Sequence, residues 1–259
     1  MPTEHASASA SAGRTGASAR LLPEVQARDA GGERHAVAVR DMFDRISPTY
    51  DLLNRLLSAG TDRRWRKRAL DVLTESLPAG PVLDSCAGTL DLAAALARRV
   101  GAERVVATDF AREMLGAGRD KVPASTRLLV GDAMALPFAA GSFAGMTCGF
   151  GMRNLAEPTR GIAEAHRVLA PGGVFVVLEF FKPTRMSTQV FHAVYGRGLL
   201  PLVGRIVSGD GEAYGYLSES MRGFLTRDQF AEAMAEAGFR DVQARDLTFG
   251  IASLIWGRK

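Results

Sequence analysis

The sequence is poor in cysteine, and its two cysteines, Cys86 and Cys148, cannot form a disulfide framework. Both lie in apolar stretches, which favours a reducing compartment. The sequence also lacks any apolar run of about 18 residues, the length of a membrane-spanning helix. No histidine and cysteine cluster has the spacing of a metal site, so we expect no metal. These absences predict a cytoplasmic protein that contacts a membrane at most peripherally, at its inner face.

Large apolar side chains are scarce over residues 1–38, where alanine, serine and glycine dominate. Such a composition cannot offset its own ordering entropy, so the segment is predicted to be a disordered tail. The net charge of +4 mildly favours an anionic partner, such as a membrane surface. The basic run at 62–68 contains Trp65 but no further aromatics, so we expect no nucleic-acid partner. That run is either a solvated helix face or a contact for anionic lipid.

What remains, residues 39–259, is predicted to form one domain. Apolar residues recur at helical spacing on both sides of Pro48, which predicts two short helices. The stretch "TDRRWRKRALDVLTESL" predicts another helix, with Thr61 or Asp62 as its N-cap. Together these helices would form a lid over residues 39–79. An apolar, glycine-interrupted segment lies within 188–224 and is predicted to cover the substrate.

A regular alternation of strands and helices begins at residue 81. Seven short strands are predicted: "PVLD", "RVVATD", "TRLLVGD", "SFAGMTCGFG", "VFVVLEFF", "RDVQARDLT" and "IASLIWGRK". Helices separate the early strands, which indicates a parallel sheet covered on both faces. The fold class is therefore α/β, with a doubly wound sheet.

Acidic residues close three successive strands, where an open parallel sheet binds its ligand. Asp84 ends the first strand, and a loop with Gly88 and Thr89 follows it. Asp109 ends the second strand, where a carboxylate can accept both hydroxyls of a ribose. The third strand ends at Asp132-Ala133, where an acid can accept an adenine amino group. Each acid alone can equally cap a turn, but three together predict a nucleoside-containing cofactor.

The loop composition separates two such cofactors. A dinucleotide needs G-x-G-x-x-G so that its pyrophosphate can approach the backbone, and this loop has only Gly88. S-adenosylmethionine has no phosphate, and Asp84 can face its ammonium group. Leu90 stands where a glycine is expected. Because a left-handed residue with a Cβ costs about 1 to 2 kcal/mol, Leu90 is predicted to have negative φ, with its side chain turned from the cofactor.

Several longer pieces then occur in order, including "YDLLNRLLSAGTDRRWRK", "VLDSCAGTLDLA", "GDAMALPF", "SFAGMTCGFGMRNL" and "YGYLSESMRGFL". Over residues 39–259 they resemble the ubiquinone/menaquinone biosynthesis C-methyltransferases. The resemblance implies a Rossmann-like methyltransferase sheet, mostly parallel with an antiparallel last strand. It also implies methyl transfer from S-adenosylmethionine to a ring carbon of a prenylated quinol, with demethylmenaquinol favoured. A homodimer is the assembly that the resemblance allows.

Carried over by position, the resemblance implies that Thr89, Asp109, Asp132 and Ala133 contact the cofactor. It places Arg153 and Asn154 near the reacting ring. Carbon methylation needs a phenolate, and we expect Arg153 to stabilise it, with Asn154 holding a water or the ring oxygen. Tyr50 is a further catalytic candidate on the lid. The alternative for Arg153 is a structural ion pair with a carboxylate such as Glu157.

Two departures from the family keep other functions open. Leu90 replaces a glycine or alanine, and Gly149 stands where a serine commonly contacts the cofactor. The alternatives are a methyltransferase for another aromatic or polyketide molecule, and a cofactor-binding module without catalysis. A nicotinamide dehydrogenase is a third alternative, disfavoured by the loop.

Overall fold

The computed structural model describes residues 32–58, 60–184, 186, 188–189, 216 and 219–259. The first helix, α1, spans Gly32–Ser58 and therefore begins inside the predicted tail, which corrects the boundary at residue 38. His35 is 1% exposed, so this part of the chain has tertiary contacts that composition did not reveal. The rest of the tail, and most of the predicted cover segment at 188–224, lie outside the described residues.

The prediction of two helices around Pro48 is wrong, because α1 runs through the proline without a break. Proline has no N–H for the carbonyl of Asp44, which an ordinary helix residue would supply. The Ser47 hydroxyl donates to that carbonyl instead, at 3.0 Å. Met42 and Ile46 are buried, and their packing supports the helix on the N-terminal side of Pro48.

The second helix, α2, spans Thr61–Glu75 and buries an apolar stripe through Trp65, Ala69 and Leu73. Its predicted cap is wrong: the N-cap is Gly60, with φ of 75° and no side-chain hydrogen bond. Asp62 is buried, where it accepts a hydrogen bond from Ser58 and pairs with Arg66 at 2.5 Å. Its carboxylate therefore serves tertiary structure and does not cap the helix.

The alternation predicted from residue 81 is confirmed as a seven-stranded sheet. The strands are β1 Val82–Ser85, β2 Val105–Asp109, β3 Arg127–Val130, β4 Phe143–Gly149, β5 Leu169–Glu179, β6 Arg240–Leu247 and β7 Ala252–Arg258. Their order is β3-β2-β1-β4-β5-β7-β6, and β7 is antiparallel to both of its neighbours. The helices between them are α3 Asp91–Val100, α4 Arg112–Gly118, α5 Pro158–Val168 and α6 Arg227–Glu236. The strand order reverses between β1 and β4, which opens a crevice at their carboxyl ends.

The two faces of the sheet carry separate apolar layers, and β5 contributes to both. Phe175 and Val177 pack into one layer, whereas Val174, Val176 and Leu178 pack into the other. This alternation follows from the period of two in a strand, and continuous burial is typical of strands covered on both sides. The N-cap of helix α6 is Thr226, whose hydroxyl accepts the N–H of Gln229 in a capping box.

Candidate functional site

A cleft opens at the carboxyl ends of β1, β2 and β4, beneath helix α1. It encloses about 730 Å³ of empty space that is partly open to solvent. Six of the nine residues singled out from the sequence line it: Tyr50, Gly88, Asp109, Asp132, Ala133 and Asn154. The other three, Asp84, Thr89 and Arg153, are buried and do not line it. The sequence therefore located the cleft, and most of the predicted site residues line it.

Asp109 is the carboxylate that most directly shapes the cleft. One of its oxygens accepts the N–H of Gly88 at 2.7 Å, and the other accepts the N–H of Ala111 at 2.8 Å. Burial raises the pKa of Asp109 to about 6, against the lowering effect of these two N–H groups. A carboxylate has about four acceptor positions. After these two bonds, Asp109 still has acceptor capacity for a pair of hydroxyl groups.

Asp132 and Ala133 form the wall of the cleft beyond β3. The Asp132 carboxylate accepts the N–H of Met134 at 2.8 Å, which fixes the turn. Ala133 and Met134 are nearly buried, and both line the cleft. This wall combines an acceptor with apolar surface, as an adenine ring requires.

Thr89 is held away from the cleft by the N-terminal helix. Its hydroxyl donates to Asp51 of α1 at 2.6 Å, and Asp51 is also paired with Lys121. Burial opposes ionisation of Asp51, but the bonds from Lys121 and Thr89 lower its pKa. The predicted contact between Thr89 and a cofactor is therefore not supported by the side chain, whose hydroxyl joins the loop to the lid.

Asp84 is completely buried at the end of β1. Its Oδ1 atom accepts the Thr147 hydroxyl at 2.7 Å, while Oδ2 has no hydrogen-bond partner. Burial raises the pKa of Asp84 to about 7, although Thr147 and Arg66 both act to lower it. A fully buried carboxylate with an unpaired oxygen is costly to ionise, so the free protein bears this cost at the edge of its cleft.

We expect the substitution Asp84→Asn to stabilise the free protein at pH 8 by about 1 to 3 kcal/mol. The folded pKa is raised from 3.8, so the carboxyl favours folding below pH 3.8 and loses this contribution as pH rises to about 7. The shift corresponds to roughly 4 kcal/mol at most, reduced by the unpaired amide that asparagine introduces. Urea unfolding at pH 8 and pH 4 measures the difference.

The gain should vanish at pH 4, where aspartate is largely protonated in the folded protein. The exposed Asp120 provides the control, since Asp120→Asn should change stability by less than about 0.5 kcal/mol at either pH. An Asp84→Asn protein no more stable than its parent at pH 8 would contradict the burial argument.

The backbone of Leu90 contradicts the predicted negative φ, whereas its side chain is turned away from the cleft, as predicted. Its φ is +66°, in the left-handed region, and it is the N-cap residue of α3. Its side chain is 0% exposed and packs in an apolar layer of the sheet, away from the cleft lining. Burial of a leucine is worth about 1.5 to 3 kcal/mol, which exceeds the backbone cost. The chain therefore keeps the glycine-like backbone and fills the core with the side chain.

Because of this conflict, we expect Leu90→Gly to be more stable than Leu90→Ala by about 1 kcal/mol. Both variants lose about 2 to 5 kcal/mol of buried contacts, but only glycine relieves the left-handed strain. Leu96 is equally buried but lies within α3, so the order should reverse there, with Leu96→Ala the more stable. Urea unfolding of the four variants tests the sign, and the same order at both positions would refute the strain.

Gly149 marks the second departure from the family pattern, and it lines the cleft. A Cβ placed on it would lie 3.2 Å from Cδ2 of Leu92, which is tighter than ordinary contact. A serine at this position would therefore require Leu92 to move, so the local packing is adapted to glycine.

Arg153 sits in a buried ion pair, although not with the residue considered from the sequence. Its guanidinium donates to Glu179 at 2.6 Å and to the carbonyl of Phe150 at 2.7 Å. The Glu179 carboxylate also accepts the backbone N–H groups of Arg153 and Phe180. Burial disfavours the charged guanidinium, but Glu179 outweighs it and raises the pKa of Arg153. The alternative partner Glu157 is thus wrong, and the ion-pair arrangement itself is present.

The cleft-facing neighbours of Arg153 are Asn154 and Tyr50. Asn154 donates to the carbonyl of Phe150 at 3.3 Å, and its side-chain oxygen lies 3.4 Å from the hydroxyl of Tyr216. Tyr50 lines the cleft and interacts electrostatically with the Arg153 guanidinium. A polar cluster with one buried positive charge therefore stands beside the cleft.

Sequence reasoning named only Tyr50 from α1 and missed the other residues of that helix that line the cleft. Val39, Arg40 and Phe43 all line the cleft, and the Arg40 guanidinium lies 5.7 Å from the centroid of Phe110. Cys86 and Phe110 also line it. The position of Phe110 directly after Asp109 was a usable signal. The part played by α1 depends on its docking, which local sequence does not encode.

Comparison with known proteins agrees with this geometry. Residues 29–259 match the model of the ubiE/COQ5 methyltransferase family. A demethylmenaquinone methyltransferase of Thermus thermophilus is 45% identical over 82% of this chain and 97% of its own length. The ubiquinone/menaquinone biosynthesis C-methyltransferase of Geobacter sulfurreducens is 41% identical over 88% and 89%.

A solved structure of a methyltransferase from Thermotoga maritima, described as dependent on S-adenosylmethionine, shares the fold. It is superposed with a TM-score of 0.60 at 18% identity, covering 85% of this chain and 99% of the other. The sequence match and the shared sheet both extend over the domain that holds the cleft, and the chain therefore belongs to the ubiE/COQ5 methyltransferase family.

Proposed function

We propose that this protein transfers a methyl group from S-adenosylmethionine to a ring carbon of a prenylated quinol, with demethylmenaquinol as the preferred substrate. The observation that carries the proposal is the cleft, where Gly88, Asp109 and Asp132 from three strand ends meet Tyr50 and Asn154. The names of the Thermus and Geobacter relatives support quinone biosynthesis as the setting.

The residues of the cleft fit the cofactor. Asp109 has acceptor capacity left for the two ribose hydroxyls, and Asp132 and Ala133 would face the adenine. Asp84 is buried behind the lining, and its unpaired oxygen suits an ammonium group reached through water. Gly88, with φ of +52°, lets the loop backbone come close to the ligand without a side chain. When bound, S-adenosylmethionine supplies an electrophilic methyl group.

In our proposal the polar cluster beside the cleft prepares the quinol as a carbon nucleophile. Loss of a ring hydroxyl proton places negative charge on the ring, and the buried guanidinium of Arg153 would stabilise that charge. Arginine keeps its proton in proteins, so its role is electrostatic, and a water is the proton acceptor. Asn154 and Tyr50 would hold that water or the ring oxygen. Helix α1 would act as a lid that excludes bulk solvent.

The substrate carries a long apolar tail, so we also propose peripheral membrane contact. Within the described part of the chain, no helix is both long and apolar enough to cross a bilayer. The apolar sequence at 190–207 is a candidate path for the tail. A homodimer is compatible with this arrangement.

Transfer of labelled methyl groups to a substrate panel tests the proposal. The panel comprises demethylmenaquinol, a prenylated benzoquinol precursor and short phenols, each with the labelled cofactor. We expect demethylmenaquinol to be methylated fastest, with label on a ring carbon. Label transferred only to short phenols would favour another aromatic substrate. Cofactor binding without transfer to any prenylated quinol would favour a binding module and refute the proposal.

A further inference from the structure

The turn between β6 and β7 holds three consecutive residues in the left-handed region. Their φ values are 46° for Thr248, 59° for Phe249 and 86° for Gly250. Only the glycine adopts this backbone freely, and each of the other two costs about 1 to 2 kcal/mol. Strain of this kind persists only where surrounding contacts impose it. The turn therefore holds Phe249 in place at a cost to folding.

This strained turn presents an apolar side chain to solvent. Phe249 is 91% exposed and Met186 is 78% exposed, the two highest values for large apolar residues in the described ranges. The two belong to neighbouring segments, because the Thr188 hydroxyl donates to the carbonyl of Phe249 at 3.3 Å. Phe249, Met186 and two arginines of α2, Arg64 and Arg68, are called the Phe249 surface below.

Helix α2 joins the arginines to the turn. Its Trp65 donates an indole N–H to the Thr248 hydroxyl at 2.8 Å. Arg64 and Arg68 are spaced i, i+4 and lie on the same side of Trp65 in the helical projection, so they share one face of the helix. Both are exposed, and neither forms an ion pair with any residue that the structure describes. The helix that Trp65 joins to the strained turn therefore carries uncompensated positive charge on one face.

The Phe249 surface also lies next to the cleft. Trp65 contacts Phe150 and Phe180, with ring centroids 6.2 Å and 5.9 Å away. Phe150 lines the cleft and Phe180 directly follows β5. An aromatic cluster thus connects the turn to the carboxyl edge of the sheet, where the substrate would enter.

We propose that the Phe249 surface docks on an anionic lipid bilayer, with Phe249 and Met186 inserted at the interface and the arginines at the head groups. An exposed phenylalanine gains from insertion among acyl chains, and arginines beside it gain from anionic lipid. A polyanionic partner would use the arginines and leave two apolar side chains unsatisfied. The proposal deepens the proposed function, because a quinol with a prenyl tail resides in the bilayer.

Sedimentation with vesicles tests the docking without any substrate. The probes are phosphatidylcholine vesicles with and without phosphatidylglycerol. We expect Phe249→Asn to weaken binding to the anionic vesicles about tenfold, since most of an aromatic burial term is lost. Asparagine tolerates the left-handed region, so the same variant should have an equal or higher melting temperature. Weaker binding with undiminished stability separates docking from a folding defect.

The charge contribution has a matched control. Arg64→Gln/Arg68→Gln should weaken binding to anionic vesicles by more than tenfold, at about fivefold for each arginine. Arg98→Gln/Arg127→Gln removes the same charge from exposed positions on helix α3 and on the edge strand β3, and should leave binding within twofold. If both double variants lose the same amount of vesicle binding, the binding depends on net charge alone and the proposal is overturned.

Insertion of the side chain is measured by the fluorescence of Phe249→Trp, with vesicles whose lipids have brominated acyl chains. We expect quenching of the added fluorescence when such vesicles bind. Emission that is already blue-shifted without lipid, and unchanged on adding it, would mean that the chain covers Phe249 itself, and would overturn the proposal. Failure of the proposed function gives a different pattern: vesicles bind, but no quinol is methylated. If the proposed function holds, Phe249→Asn should still methylate a short-chain quinol in solution, even though the variant no longer docks on vesicles.

Discussion

The substitution Asp109→Asn should lower the affinity for S-adenosylmethionine about 100-fold, as measured by calorimetry. The carboxylate already accepts N–H groups from Gly88 and Ala111, so an asparagine would direct an NH₂ group at one of these donors. It would also replace charge-assisted bonds to two ribose hydroxyls, each worth about 1.5 to 3 kcal/mol. The expected total of roughly 3 kcal/mol equals about two orders of magnitude in Kd.

Asp132→Asn is the matched control, because Asp132 lines the same cleft but accepts a single backbone N–H. We expect a loss of about tenfold there, since one neutral hydrogen bond to the adenine can persist. Unfolding by urea without ligand shows whether either variant weakens the fold. If Asp109→Asn binds S-adenosylmethionine as tightly as the parent does, Asp109 does not hold the ribose hydroxyls.

The same carboxylate predicts a pH dependence of cofactor binding. Burial raises the pKa of Asp109 to about 6, and only the ionised form offers full acceptor capacity. Protonation of Asp109 should therefore lower the affinity as pH drops below 6, by up to about tenfold per unit, in addition to any change from Asp84, whose pKa is about 7. Asp109→Asn should lose the Asp109 contribution, so its affinity should fall less steeply below pH 6 than that of the parent. A parent protein with constant affinity down to pH 5 would contradict this assignment.

The parts that local sequence could predict are those governed by periodicity and by strand ends. Continuous apolar runs such as the one around Phe175 marked buried strands. The acids Asp109 and Asp132 marked the carboxyl edge, because parallel strands bring their ends together wherever the helices lie. In each case the deciding contact is local or follows from sheet topology.

Where the structure departs from local propensity, other contacts decide. The Thr89 hydroxyl is engaged by Asp51, 38 residues earlier, while its contact with a cofactor stays a prediction. Leu90 was expected to avoid the left-handed region, and its complete burial outweighed the local cost. Pro48 was expected to end a helix, yet the hydroxyl of the preceding residue satisfied the exposed carbonyl. Propensity gave the local cost correctly, and contacts that it does not include outweighed it.

The buried pair of Arg153 and Glu179 supports a prediction that separates structure from catalysis. Arg153→Met should destabilise the fold by about 3 to 5 kcal/mol, because it leaves the Glu179 carboxylate buried without its counter-charge. Glu179→Met should destabilise the fold by a similar amount, because it leaves the Arg153 guanidinium buried without its counter-charge. The double variant buries neither charge, so we expect it to recover to within about 2 kcal/mol of the parent, as urea unfolding would show.

Activity of the same double variant then gives the role of the guanidinium. Since Arg153 is proposed to stabilise the phenolate, the refolded double variant should methylate demethylmenaquinol about 100- to 1000-fold more slowly in kcat, with KM for the cofactor little changed. Arg153→Lys keeps the positive charge but lacks the planar guanidinium, so its kcat should fall between those of the parent and the double variant. A double variant that recovers both stability and kcat would make the pair purely structural. In that case Asn154 and Tyr50, which line the cleft themselves, would be left to act on the quinol.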